Sequence, residues 1–234
     1  MTHSKNLIIK VCGMREADNI RAVDELASVD WMGFIFYPRS SRHVSQVPTF
    51  MPEHTKRVGV FVNATANEIL ERLSLFSLDL IQLHGHESAD FCSELRALLP
   101  EGTGIIKMVQ VGSIDDLQRA TEYEGAVDYL LFETRCEGYG GSGQQFDWHI
   151  LDDYHGRTPF LLTGGIGPSD ADKLLSFSHP MMAGIDLNSK FESAPAMKDV
   201  NRLKDFTERL KQGLAQEPHT ISVEKKYNTH SLTT

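Results

Sequence analysis

The sequence predicts an α/β protein built as a single (β/α)8 TIM barrel, and three observations carry the prediction. Short apolar segments alternate with amphipathic stretches, one pair for about every 25 residues. Eight such pairs follow one another with no linker or low-complexity tract between them. The chain has 234 residues, and a barrel of this kind typically needs about 250. The competing architecture, an open doubly wound sheet, uses fewer strands and a Gly-rich phosphate loop after its first strand. Here the first strand runs into Cys12-Gly13-Met14-Arg15, which is not such a loop.

The expected strands are 7–12, 31–36, 57–62, 78–84, 104–109, 129–133, 160–163 and 182–187, each a short apolar run closed by polar or Gly residues. Helices are expected at 15–29, 45–54, 66–75, 88–98, 113–123, 147–154, 168–175 and 198–212. The first carries Ile20, Val23, Leu26 and Val29 at helical spacing. Asn63 or Thr65, Ser113, and Pro168-Ser169-Asp170 supply start signals for three others. The second and sixth are the weakest, because Pro48 and Pro52 interrupt one and the other is short. The barrel is expected to span residues 1–215. Residues 216–234 are polar without periodicity and read as a surface or disordered tail, in which Ile221-Ser222-Val223 is a stray strand at most.

A 41% hydrophobic content is enough for a sizeable core without staples. The net charge of −9 argues against broad binding to nucleic acid or an anionic membrane. It leaves room for an anionic ligand held by backbone N–H groups. Three cysteines, an odd number, do not suggest a disulfide framework. No apolar run is long enough to span a bilayer. The polar start, Met1-Thr2-His3-Ser4-Lys5, does not read as a signal peptide, so the expected location is the cytoplasm. The expected partner is a small phosphorylated molecule, with the protein a monomer or homodimer.

In such a barrel the reactive side chains sit at the C-terminal ends of strands and in the loops that follow. Cys12 ends the first strand, where a thiol serves either as a reactive group or as a small buried hydrophobe. The second strand opens into Tyr37-Pro38-Arg39-Ser40-Ser41-Arg42-His43, whose donors suit a carboxylate or phosphate, or simply solvent. His84 follows the fourth strand as a lining residue or a base. Lys107 lies on the fifth strand, its facing open. Glu133 ends the sixth strand after Leu131-Phe132, a place where a carboxylate needs a partner or a task. Three glycines within Gly140–Gly143 then suit a loop that closes on a ligand. Gly164 and Gly165 after the seventh strand, with Ser189 after the eighth, suit the phosphate cradle usual in such barrels. No histidine pair at ligand spacing has a third partner, so no metal site is expected.

Several segments recur in a familiar order: Lys10-Val11-Cys12-Gly13-Met14; Gly33-Phe34-Ile35-Phe36-Tyr37-Pro38 with Ser41-Arg42; and Val58-Gly59-Val60-Phe61-Val62-Asn63. Gln82-Leu83-His84-Gly85, Tyr139-Gly140-Gly141-Ser142-Gly143 with Phe146-Asp147-Trp148, and Gly164-Gly165 follow. Over residues 7–213 this series resembles the phosphoribosylanthranilate isomerases of tryptophan biosynthesis. The resemblance implies an Amadori rearrangement of N-(5-phosphoribosyl)anthranilate that uses no cofactor and no metal. It places the general base on Cys12 and the general acid on Glu133. It also places the contact to the anthranilate carboxylate on Arg42. His84, Gly141, Gly164, Gly165, Asp186, Asn188 and Ser189 complete the implied substrate site.

Two departures stand out. Glu133 occupies the place of the family's usual Asp. After the eighth-strand Asp, where the family usually has two serines and a glycine, the run is Asn188-Ser189-Lys190: Asn188 keeps a donor, Ser189 remains, and Lys190 in the glycine's place either strains the loop or adds a cation near the phosphate. Two alternative functions remain: an isomerase of another phosphorylated aminoaldose, of the histidine-pathway type, or a barrel that binds a phosphorylated ligand without turning it over. The first of these reactions usually runs on two carboxylates, whereas this chain sets Cys12 opposite Glu133. Were Glu133 not the acid, Glu137 and Asp186 would be the next candidates.

Overall fold

A computed structural model of the protein describes residues 7–134 and 147–216. Eight parallel strands close into a barrel in chain order: β1 (Ile8–Cys12), β2 (Trp31–Ile35), β3 (Lys56–Phe61), β4 (Leu80–Leu83), β5 (Gly104–Val111), β6 (Tyr129–Thr134), β7 (Phe160–Leu162) and β8 (Met182–Leu187). β1 closes the ring against β8, with Lys10 beside Asp186 in the register.

Alternation along the strands sorts the side chains into two cores. Trp31, Val58, Leu80, Ile106, Met108, Leu131 and Leu161 fill the barrel interior. The intervening residues, among them Ile9, Phe34, Ile81, Phe132 and Ile185, face the surrounding helices in a larger apolar layer. Two positions beyond the interior layer, the same alternation brings a polar residue to the inward face: Leu80 leads to Gln82, Leu131 to Glu133 and Leu161 to Thr163. The site is therefore the polar continuation of the apolar core. Lys107, flanked by the interior residues Ile106 and Met108, points outward instead. There its ammonium pairs with Glu87 at 3.0 Å and donates to Gly85 O at 2.7 Å, which satisfies the turn after β4.

The described residues hold six α-helices: α1 (Ala17–Asp24), α2 (Ala66–Phe76), α3 (Ala89–Leu98), α4 (Ile114–Ala120), α5 (Ala171–Ser176) and α6 (Val200–Gln216). Thr65 starts α2 with a full capping box, its hydroxyl accepting from the Glu68 N–H while the Glu68 carboxylate accepts from the Thr65 N–H.

The helix expected at 45–54 does not form, and this stretch is irregular. Pro48 and Pro52 remove backbone donors. The backbone N–H groups of Glu53, His54 and Thr55 donate to the buried carboxylate of Asp24 at 2.7–3.2 Å, taking from a side chain what a helix would supply. The stretch expected at 147–154 is a 3-10 segment, Trp148–Asp153, opened by the Asp147 carboxylate accepting from the His149 N–H. The helix expected from residue 198 begins at Val200. Lys198 belongs instead to a small antiparallel ribbon that the sequence did not announce, β9 (Glu192–Ala194) with β10 (Met197–Lys198). Asn19 of α1 pins that ribbon through two hydrogen bonds to the backbone of Lys198, at 2.7 and 2.9 Å.

Candidate active site at the mouth of the barrel

A cavity of about 330 Å³ opens at the C-terminal ends of the strands, within the usual size range for small-molecule sites. Of the ten site residues expected from the sequence, nine line it: Cys12, Arg42, His84, Glu133, Gly164, Gly165, Asp186, Asn188 and Ser189. The tenth, Gly141, lies outside the described residues, as does Glu137.

Cys12 ends β1 nearly buried, beside Gly33 in the register. A Cβ on Gly33 would stand 2.8 Å from the Cys12 Sγ, so only glycine leaves room for the thiol. Gly13 serves the other side in the same way. A Cβ there would come within 2.6 Å of Arg42 Cδ and 2.9 Å of Asn188 Oδ1, the two side chains that close over the end of β1.

Below the thiol, Lys10 is fully buried with its Nζ 2.9 Å from Asp186 Oδ2. Burial alone would lower the lysine, but Asp186 and Cys12 outweigh it and hold Lys10 above its ordinary value. Burial pushes the Cys12 thiol up; the Lys10 and Lys198 ammoniums offset part of this, while Asp186 adds to it. Asp186 is also raised, chiefly by burial, which its pairing with Lys10 only partly offsets. Its Oδ1 is buried at the cavity wall without a hydrogen-bond partner.

Opposite, Gln82, His84 and Glu133 form a chain. The Gln82 Nε2 lies 3.0 Å from His84 Nδ1, and His84 Nε2 lies 3.4 Å from Glu133 Oε2. With the Gln82 amide nitrogen facing the ring, Nδ1 is the acceptor and Nε2 carries its proton toward the glutamate. His84 is thus a lining residue tied to Glu133.

The loop after β2 presents Arg42, whose guanidinium grips Glu192 of the ribbon with Nε at 2.9 and 3.0 Å and Nη2 at 2.6 Å. The Glu192 hydrogen bond raises the arginine further. Glu192 also accepts from Lys198. Its burial would raise it, but these two cations outweigh burial and hold it below the usual carboxylate range. Burial pulls Lys198 below the ordinary lysine range, and Glu192 offsets only part of that.

Gly164 and Gly165 turn the chain through positive φ, 92° and 69°, after β7. Lys190, which lines the same cavity, carries its stem across Gly167 at the start of the segment leading into α5.

Sequence reasoning missed Lys10, Gln82, Glu192 and Lys198. Lys10 was detectable, since it stands two residues before Cys12 on one strand and so shares its face. Glu192 and Lys198 carried no such signal, because their ribbon was read as loop and helix start.

An eight-stranded parallel barrel whose mouth gathers a thiol, a carboxylate, an arginine and two left-handed glycines in one cavity has the architecture of a barrel enzyme. The family model of N-(5'-phosphoribosyl)anthranilate (PRA) isomerase matches residues 9–209. An N-(5'-phosphoribosyl)anthranilate isomerase of Phocaeicola vulgatus is 52% identical over 206 residues, covering 88% of this chain and 98% of that protein. One of Parabacteroides distasonis is 50% identical, covering 87% and 93%. Among solved structures, the phosphoribosyl anthranilate isomerase of Thermotoga maritima superposes with a TM-score of 0.74 at 30% identity, over 88% of this chain and 99% of that one. The chain belongs to the phosphoribosylanthranilate isomerase family. Nothing in these matches supports the histidine-pathway or non-catalytic alternatives.

Proposed function

We propose that this protein catalyses the Amadori rearrangement of N-(5-phosphoribosyl)anthranilate to 1-(2-carboxyphenylamino)-1-deoxyribulose 5-phosphate, with Glu133 as general acid and Cys12 as general base. The observation that carries the assignment of roles is the convergence of Cys12, Glu133 and Arg42 on one cavity with the glycines after β7. Glu133 gives a proton to the furanose oxygen as the bond from that oxygen to C1 breaks, and the anthranilate nitrogen lone pair forms a protonated Schiff base at C1. The Cys12 thiolate removes the proton from C2, the freed electron pair moves into the iminium, and the resulting enolamine ketonises to the product. C2 is oxidised and C1 reduced within one molecule, so the electrons balance without a cofactor. Arg42 meets the anthranilate carboxylate as a charge-assisted donor. The loops after β7 and β8, with Gly164, Gly165, Asn188 and Ser189, take the phosphate. His84 orients Glu133, and Asp186 presents its free oxygen to the polar sugar end.

A related solved isomerase, 27% identical with a TM-score of 0.70, is described in complex with reduced 1-(o-carboxyphenylamino)-1-deoxyribulose 5-phosphate, which supports an elongated anionic occupant for this cavity. The protein is further proposed to act in the cytoplasm as a monomer or homodimer, on a barrel that ends with α6. No described helix is long and apolar enough to cross a membrane. The test is direct: purified protein is mixed with freshly prepared phosphoribosylanthranilate and anthranilate fluorescence is followed. Enzyme-dependent loss of substrate with formation of the ketose product is expected. Absence of turnover would refute the reading.

A further inference from the structure

The β9–β10 ribbon gathers three charges whose arrangement goes beyond holding the loop in place. Arg42 and Glu192 form a bidentate pair that is sufficient in itself and neutral overall. A second cation is nevertheless buried against it: Lys198 Nζ donates to Glu192 Oε1 at 2.5 Å and to Asn188 Oδ1 at 2.8 Å. The side chains of Lys198 and Glu192 are 0% and 5% exposed, and that of Arg42 is 21% exposed at the cavity wall. Burying an extra ammonium carries a desolvation cost, so it is weak evidence of a contribution to stability. Its consequence is electrostatic. The charges of Arg42, Glu192 and Lys198 sum to +1 − 1 + 1 = +1, whereas Arg42 with Glu192 alone would present no net charge to an anion. The Arg42 Nη1 makes no hydrogen bond among the described residues, so one edge of the guanidinium stays available.

We propose that Lys198 is a positioning residue whose buried charge keeps the Arg42–Glu192–Lys198 group at net +1. Glu192 thereby fixes the plane of Arg42 without cancelling its attraction for the substrate carboxylate. Through Asn188 the same ammonium sets the loop after β8, so one buried group ties together the two ends of an elongated anionic substrate. The inference rests on the reading that Arg42 meets that carboxylate. It assigns specificity for a carboxylated aglycone to the ribbon as well as to the β2 loop.

The test uses the full chain, steady-state kinetics with freshly prepared phosphoribosylanthranilate, and thermal melting of each variant. Lys198→Met makes the group neutral and leaves Glu192 paired with Arg42. KM should rise roughly five- to tenfold, the signature of lost uniform binding. Because the Lys198 charge also offsets part of the burial that raises Cys12, the thiol limb of the pH profile should move to higher pH, and kcat compared on the alkaline plateau should change less than about twofold. The double variant Glu192→Gln, Lys198→Met returns the group to +1, and its KM should fall back toward that of the wild type. A packing defect would instead accumulate in the double variant. An unchanged KM in Lys198→Met, or a double variant no better than the single, overturns the inference. Should Lys198→Met fail to fold, Glu192→Gln at net +2 is compared with the double variant at net +1. The former must then show the lower KM at low ionic strength, and equal values overturn the inference. An active wild type with unaltered variants sinks this inference alone, whereas an inactive wild type sinks the isomerase reading with it.

Discussion

Burial holds the Cys12 thiol above its ordinary value, against the partial offset of Lys10 and Lys198. As the proposed base, Cys12 acts as the thiolate, and a raised thiol is mostly protonated at neutral pH. The sign follows: kcat/KM should increase as pH rises through the thiol's titration on the alkaline side, read from a pH profile of the wild type. Cys12→Ser should lose nearly all turnover while melting like the wild type, since a hydroxyl is far less acidic than a thiol of ordinary pKa about 8.5. A serine variant with full turnover would remove Cys12 from the mechanism. Glu133→Gln keeps the shape and the contact with His84 but cannot protonate the ring oxygen. It should cost about 10²–10⁴-fold in kcat with ligand affinity little changed, and full activity in that variant would send the assignment elsewhere. Position at strand ends marked both residues for the mouth of the barrel, and the resemblance supplied the roles proposed for them. Gln82 was quoted within a motif, yet its bond to His84 requires the facing of two side chains that motif spacing does not report.

Among the elements, the strands were the most legible because eight apolar runs with polar ends leave few alternatives, and all eight took their place in the ring. Helices were less so. The 45–54 stretch has enough apolar residues to suggest one, and the decisive fact, the Asp24 carboxylate collecting three N–H groups, is a contact across 29–31 residues. The β9–β10 ribbon is too short for its periodicity to register. One local start signal did hold: Thr65, one of two proposed starts, caps α2; the spacing read through Val29 did not, since α1 ends at Asp24. Thr65→Ala should cost about 1 kcal/mol of stability, the typical worth of such a cap. The loss would be read as a lower urea midpoint with kcat and KM intact, since Thr65 is not among the cavity-lining residues. An unchanged midpoint would mean that Glu68 alone satisfies this helix start.

Across the whole molecule, α6 packs against α5 and brings the described barrel to its end at Gln216. Every described residue given a role in the reaction precedes it. A chain stopped after Gln216 is therefore expected to keep the wild-type kcat, KM and melting temperature. A large fall in melting temperature would show that residues 217–234 contribute to the barrel. The boundary is proposed from the change from periodic to aperiodic sequence, and residues 217–234 lie outside the described residues. The closing of the ring was legible only as a count of eight, because no local pattern says that the first strand will meet the last.

That meeting has a consequence in time. The thiol's pocket is finished by Asp186 and Asn188, and Asp186 stands 176 residues after its partner Lys10. At ordinary synthesis rates of about 5–20 residues per second, roughly ten to thirty-five seconds separate the two on the ribosome. Through that interval the nascent chain carries Cys12 beside an ammonium with no counter-ion and no eighth strand to cover it. The proposed base is thus among the first side chains made and among the last enclosed. Oxidants and electrophiles have their best access to it before the protein is complete.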